Sequence, residues 1–359
     1  MNNLILVGKS QFGYHLDSYK YCQYLSSMYN ITFICFDLGK RKIELEGVDV
    51  IYVNYKGGKI SRILDLIKIV LVQIAGKNDC FVFVNYFLGC SLLPLISFFS
   101  RNKCILHCDI RTLQVNAGWL QTTISNSILN IELLLFSSKS VISQGIKRKL
   151  FFIGDASILP LGGDAISHKV TLEGRPTLCY IGTFNGRHLI ETVKGFHKLI
   201  LKEKNRGLTY DIIGSGDPIE EEVLTSYISQ NNLSNVIRLH GYLTHEDCSK
   251  IIEKATIGVC FYPINDSYQH QPPTKLFEYI LSGLPCVSVE TVETRKYINK
   301  YNGVLIKDNA ESFSSGVQEI LDYRDWDTEV IKSSLKHCMW KRIVESKLLP
   351  ILGSAFKNR

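Results

Sequence analysis

The chain has 359 residues, enough for two domains of ordinary size, each with its own core. A hydrophobic content of 45% against 21% charged residues excludes a disordered chain. The net charge of +7 is uneven: residues 1–160 hold 17 Lys and Arg against 10 Asp and Glu, and residues 161–359 hold 24 of each. That asymmetry fits a solvated basic surface, or an anionic partner on the first half alone, such as a phospholipid surface or a phosphate-bearing substrate.

The opening "MNNLILVGKS" lacks the basic region and long apolar run of a signal peptide and reads as a first buried strand. Its "VGKS" imitates the end of a P-loop, but the required first glycine would fall at Asn3. A Gly-bearing loop follows, from Gly8 to Gly13, with His15 behind it as a structural residue or a site residue. "ITFICFD" and "DVIYVNY" are the next strands. Residues 59–77 form a helix with a broad apolar face and a narrow polar stripe of Ser61, Asp65 and Lys68, with Arg62 beside it. It is either buried on a sheet or partly inserted at a membrane surface, helped by Lys56, Lys59, Arg62, Lys68 and Lys77.

Residues 80–100 are apolar enough to raise the question of a membrane span. Asn85, Tyr86, Gly89 and Pro94 split them into a strand at 81–84, a loop and a core helix. "KCILHCD" is a strand whose end, "LHCDIRT", carries His107, Asp109 and Arg111. The 11 cysteines are scattered, with no C-x-x-C pair, and no His or Cys cluster accompanies Cys104 and Cys108. Free buried thiols in a reducing cytosol are expected, without a disulfide framework or a zinc site. "SVIS" and "SILPLG" close the first series. The Gly- and Pro-rich stretch 160–176 is the best boundary. The expected domains are 1–165, 166–334 and a closing helix over 335–359.

The second series runs through "TLCYIG", "TYDIIGSG", "VIRLHGY", "IGVCFYP" and "PCVSVE". Continuous apolar strands alternating with helices predict parallel sheets covered on both faces, hence doubly wound α/β domains. In "YIGTFNGRH" a strand and a Gly-bearing turn set Arg187 at a helix start, as a diphosphate-binding fork or as a plain surface arginine. After Gly214-Ser215-Gly216 a dinucleotide fingerprint would need a third glycine where Ile219 stands. In "HQPPTKLFEYILSGLPCVSVE", Pro272 and Pro273 keep the chain extended and Thr274 is the expected N-cap. Leu276, Phe277, Ile280 and Leu281 make the apolar face, with Lys275, Glu278 and Ser282 opposite. Gly283 and Pro285 stop the helix. Its N-terminus suits a phosphate, and Glu278, placed in the first turn, would accept bonds from hydroxyls beside it or pair with Lys275.

Taken in order, "YIGTFNGRHLIETVKGF", "YDIIGSGDP", "VIRLHGYLTHEDCSKIIEKATIGVCFYP" and "PPTKLFEYILSGLPCVSV" resemble the C-terminal half of family 4 glycosyltransferases. The resemblance covers residues 160–305 well and the N-terminal half weakly. It implies the GT-B fold: two Rossmann-like domains facing across a cleft, with "SLKHCMWKRIVESKLLPIL" as the helix that crosses back to the first domain. It implies a UDP- or GDP-linked sugar held mostly on the C-terminal domain and transferred with retention, without metal or cofactor. The start of the helix at Thr274 and Lys275 would cap the diphosphate, Glu278 would bind the ribose, and Arg187 would bind the diphosphate. Thr183 stands where many relatives carry another arginine. The backbone at Gly241 and Tyr242 would meet the base, and Gly13, Gly182 and Gly214 complete the donor-binding set. His270 falls where relatives often have a glutamate that contacts the sugar. Asp109 and Arg111 match the loop facing acceptor and donor sugar, although they would equally form a pair holding that loop. With His270 they make the expected catalytic set. The implied partners are a glycan or polyprenyl-linked acceptor and an anionic membrane surface, with no nucleic acid. The implied setting is O-antigen or capsule synthesis by a cytoplasmic protein docked on the inner membrane face. A nucleotide-sugar epimerase and a non-catalytic glycan or nucleotide binder are the alternatives.

Overall fold

A computed structural model of the chain describes residues 2–75, 77, 80–98, 104–113, 119–150, 154–205, 207–266, 268–323 and 325–357. The chain forms two compact units, Met1–Leu161 with Trp340–Arg359, and Gly162–Met339.

The first unit holds β1 (Asn2–Val7), β2 (Tyr29–Asp37), β3 (Val48–Asn54), β4 (Cys80–Asn85), β5 (Ile105–Ile110), β6 (Ser138–Val141) and β7 (Ser157–Ile158). They form one sheet in the order β3-β2-β1-β4-β5-β6-β7, parallel throughout. The second unit holds β8 (Thr177–Ile181), β9 (Thr209–Ile213), β10 (Ile237–Gly241), β11 (Ile257–Cys260), β12 (Cys286–Val289) and β13 (Gly303–Ile306). Their order, β10-β9-β8-β11-β12-β13, is also parallel throughout. Helical crossovers cover both faces of such sheets, which is why four successive residues of β1, Leu4 to Val7, are all buried. Strand order reverses between β1 and β4 in one sheet and between β8 and β11 in the other. A crevice opens outside the carboxyl ends of the strands at such a switch point.

All twelve expected strands form. The thirteenth, β13, is a four-residue edge run that is not among the expected strands. It lies so close to β12 that a Cβ on Gly303 would sit 2.1 Å from the Cys286 carbonyl oxygen. The helix expected in the core after β4 needs correction. It spans Leu92–Phe98, buries Leu93 and leaves Phe98 84% exposed. Among the described residues, no helix is long and apolar enough to cross a membrane. The helix Lys59–Ile74 buries Leu66, Ile67, Val70 and Ile74 but exposes Ile60, Leu64 and Val72.

The expectation that every thiol is free is also overturned. Cys80 and Cys104 are disulfide-bonded, because β4 and β5 run side by side and bring the two Cα atoms to 4.8 Å. Their separation of 24 residues hides this in the sequence. The other nine cysteines are free and buried. In the first unit, Trp340 of the C-terminal segment packs edge-on against Tyr21 with ring centres 5.8 Å apart. A π-helical turn, Val344–Leu348, then precedes Pro350, which has no N–H to continue the α ladder.

Candidate functional site

At the switch point of the second unit, β8 ends at Ile181 and the chain turns sharply. The Tyr180 hydroxyl donates to the Thr183 carbonyl at 2.7 Å, and the Gly182 N–H donates to Ile213 O at 3.0 Å. The turn holds His188 at a φ of 53°, a conformation that side chains other than glycine rarely adopt, immediately after Arg187. Leu189 then caps the helix Ile190–Ile200. The Arg187 guanidinium lies 4.8 Å from the centre of the Tyr268 ring and 5.9 Å from that of Tyr262. These two rings pack on each other at 5.3 Å. Among the described residues, no carboxylate is paired with Arg187.

Opposite Arg187 begins the helix Thr274–Ser282. Its N-cap is Pro273 in the extended region, not Thr274, which is the first helical residue. Pro273 has the backbone angles of a cap and no side chain to bond with, so no side chain caps the first turn. The helix is fixed by Tyr279, whose buried hydroxyl accepts the Ile181 N–H at 2.7 Å. Gly283 closes it at a φ of 96°. Together these elements enclose a cavity of about 360 Å³, lined by Gly182, Thr183, Arg187, Tyr268, Thr274 and Lys275 among others.

Glu278 lies in the second turn, not the first, because the helix begins at Thr274 itself. It is buried and accepts from the Lys275 ammonium at 2.5 Å. Beyond Lys275 the polar stripe of this helix is internal: the fully buried Ser282 hydroxyl donates to Glu278 O and accepts the Ile166 N–H. Glu278 and His270 are not among the cavity's lining residues, although Lys275 and Gln271 are. Gly214, Gly241 and Tyr242 lie outside it too. Gly214 sits where a Cβ would be 1.8 Å from Gly182 O, at a φ of 135°, and donates to Gly241 O at 2.8 Å. Tyr242 is 86% exposed. The sequence reading missed Tyr262 and Tyr268; the "FYP" that follows β11 was the available signal for the first.

In the first unit, Asp109 is fully buried and accepts from the Ser140 hydroxyl. Arg111 Nε lies 2.6 Å from Asp109 Oδ2 and 3.2 Å from Asp17 Oδ2, and its Nη1 donates to Leu159 O at 2.8 Å. Asp109 and Arg111 thus hold each other while lining a cavity of about 510 Å³ with Lys9, His15 and Asn85. His107 is core, stacked on Phe83 at 4.9 Å with a serine on each ring nitrogen. Because Ser140 spends its proton on Asp109, it accepts from His107 Nε2–H, and Nδ1 takes the Ser138 hydroxyl. Burial, reinforced by nearby Lys139, pushes the His107 pKa down to about 3. His15 bonds Ser18 Oγ through Nδ1 at 3.0 Å, and burial lowers its pKa against the pull of Asp17. Gly13 lies in the loop before the helix Leu16–Leu25. In the Asp-x-Asp run Asp325-Trp326-Asp327, the second aspartate is spent on capping: Asp327 accepts the Glu329 and Val330 N–H groups. Among the described residues, no cluster of His, Cys, Asp and Glu is arranged to hold a metal ion.

Residues 175–323 match the family model described as glycosyl transferases group 1. The chain matches no curated protein sequence. Many solved structures are similar to it, among them the following three. Sucrose-phosphate synthase from Thermosynechococcus elongatus superposes with a TM-score of 0.73 at 14% identity, covering 100% of this chain and 99% of that one. Anabaena HepE in complex with UDP and glucose gives 0.74 at 11%, covering 99% and 100%. The lipopolysaccharide outer core galactosyltransferase WaaB gives 0.69 at 14%, covering 99% of each. The fold is that of the GT-B glycosyltransferases, two parallel-sheet Rossmann-like units. The second unit carries the glycosyl transferase group 1 match.

Proposed function

We propose that the protein is a retaining glycosyltransferase of family 4 type. It takes a hexose from a UDP- or GDP-linked donor and places it on a hydroxyl of a lipid-linked glycan in surface polysaccharide assembly, O-antigen or capsule, at the cytoplasmic membrane face. The observation that carries this reading is Arg187, a cation without a carboxylate partner among the described residues, set across a cavity from a helix N-terminus with no side-chain cap at a sheet's switch point. UDP in the HepE structure makes UDP the first donor to test, and WaaB supplies the surface-glycan analogy.

In this reading, Arg187, Lys275 and the first-turn N–H groups after Pro273 hold the diphosphate. The Tyr262 and Tyr268 rings keep the Arg187 fork in place. Glu278 positions Lys275 through their ion pair and turns to the ribose when the donor's phosphates compete for the lysine. His270 acts at the sugar end of the donor, and the backbone at Gly241 and Tyr242 meets the base. Transfer breaks the bond between the anomeric carbon and the diphosphate and forms one to the acceptor oxygen on the same face. The acceptor proton leaves with the phosphate, whose growing charge Arg187 and Lys275 stabilise. Asp109 and Arg111 position the acceptor-side loop. No cofactor is required.

The test is incubation with a panel of nucleotide-sugars, with and without candidate glycan acceptors. Nucleotide release that depends on the acceptor is expected. Conversion of the donor sugar without an acceptor would mark an epimerase, and binding without turnover a non-catalytic binder.

A further inference from the structure

A second opening in the first unit lies beside the cavity of Asp109 and Arg111. It measures about 480 Å³, between the carboxyl ends of β1 and β2 and the helix Lys59–Ile74. Phe36, Leu38, Ile63 and Leu88 line its apolar part. Among the described residues, Lys9, Lys59 and Arg62 are its three cations, and no carboxylate lines it. Among the described residues, none of the three is in an ion pair. Asp37, next to Leu38 in the chain, is taken up by Lys42 at 3.4 Å and by the Gly39 N–H. The Arg62 guanidinium lies 3.9 Å from the centre of the Tyr55 ring, a contact that places its charge without pairing it.

Three cations over an apolar floor match one kind of molecule: an anion attached to a hydrocarbon. The apolar surface also continues outward. Ile60, 78% exposed, and Leu64 lie on the same helix. Leu95, Ile96 and Phe98 are exposed on the helix Leu92–Phe98, which packs against it. Lys9 and Leu88, the latter 61% exposed, line both cavities, so a phosphate at Lys9 would direct its other substituent into the cavity of Asp109 and Arg111.

We propose that this opening binds a lipid phosphate, with the phosphate on Lys9, Lys59 and Arg62 and the first part of the hydrocarbon tail on Phe36, Leu38, Ile63 and Leu88. This deepens the lipid-linked acceptor of the proposed function and rests on that reading. It names the carrier end of the acceptor and the residues that take it, and it gives the positive charge of the first half a local task.

Farnesyl phosphate, farnesol and inorganic phosphate are titrated separately onto the full chain by calorimetry, with UDP and GDP as controls. Farnesyl phosphate should bind about tenfold or more tightly than either of the others, since each lacks one half of the match. The double variant Lys59→Ala with Arg62→Ala should weaken farnesyl phosphate by about tenfold or more and leave UDP binding and the melting temperature unchanged. Leu88→Ser should weaken farnesyl phosphate without affecting inorganic phosphate. Equal affinity for farnesol, equal affinity for inorganic phosphate, or an unaffected double variant each overturns the proposal. Loss of the proposed function itself would show separately, as a wild-type chain that binds neither UDP nor GDP.

Discussion

Arg111 and Arg187 each follow a parallel strand near the place where its sheet reverses strand order, and the protein treats them in opposite ways. Arg111 is held by two carboxylates and a carbonyl: its Nε lies beside Asp109 and Asp17, and its Nη1 donates to Leu159 O. Among the described residues, Arg187 is held by tyrosine rings and paired with no carboxylate. An arginine closed in by carboxylates holds structure together, and its charge is already spent. An arginine held by aromatic faces is fixed in space with its charge unspent, which serves an anion that arrives later. The same contrast separates the arginines' cavities: in one the arginine is in an internal ion pair, in the other it lies across from a helix N-terminus that no side chain caps.

Breaking the comparison starts with Arg111. Arg111→Ala leaves Asp109 buried without its cation and should cost about 3–5 kcal/mol in urea unfolding. A loss below about 1 kcal/mol would mean the pair is not structural. Arg187→Ala should leave unfolding nearly unchanged while weakening UDP by about 1.5–3 kcal/mol.

The structural character of the first unit also has a pH signature. His107 has a pKa of about 3 when folded and an ordinary one when unfolded, so the unfolded state takes up its proton first as pH falls. Its contribution is intact above the ordinary value near 6.5 and is lost progressively as pH falls towards 3. Between pH 6.5 and 5 the chain should lose about 2 kcal/mol that His107→Gln does not lose. Parallel pH profiles for the two proteins would refute the buried neutral histidine. The smallest expected effect sharpens the other side: Tyr268→Leu should weaken UDP by about 0.5–1 kcal/mol through a looser Arg187, and leave uridine alone.

What was legible in the sequence was local. Pro272, Pro273, Gly283 and Pro285 bounded the helix Thr274–Ser282 because backbone geometry is written in those residues. Continuous apolar runs announced parallel sheets for the same reason. Arg187 stood out because a strand, a Gly turn and a helix start lie within a few residues. The cap went to Thr274 because its hydroxyl suits the role, yet Pro273 already has the required angles; moving the start by one residue, together with counting Glu278 into the first turn, misplaced the carboxylate. Long-range pairings were not legible. Asp17 reaches Arg111 from far earlier in the chain, and Cys80 meets Cys104 only through the strand pairing of β4 with β5. Tyr268 comes to Arg187 through a loop whose path has no local pattern.

Calorimetric titration of UDP and uridine onto the wild type and Arg187→Ala tests the central claim most directly. The account predicts that the wild type binds UDP at least about tenfold more tightly than uridine, and that Arg187→Ala removes most of that difference. Equal affinity of both proteins for UDP would contradict it.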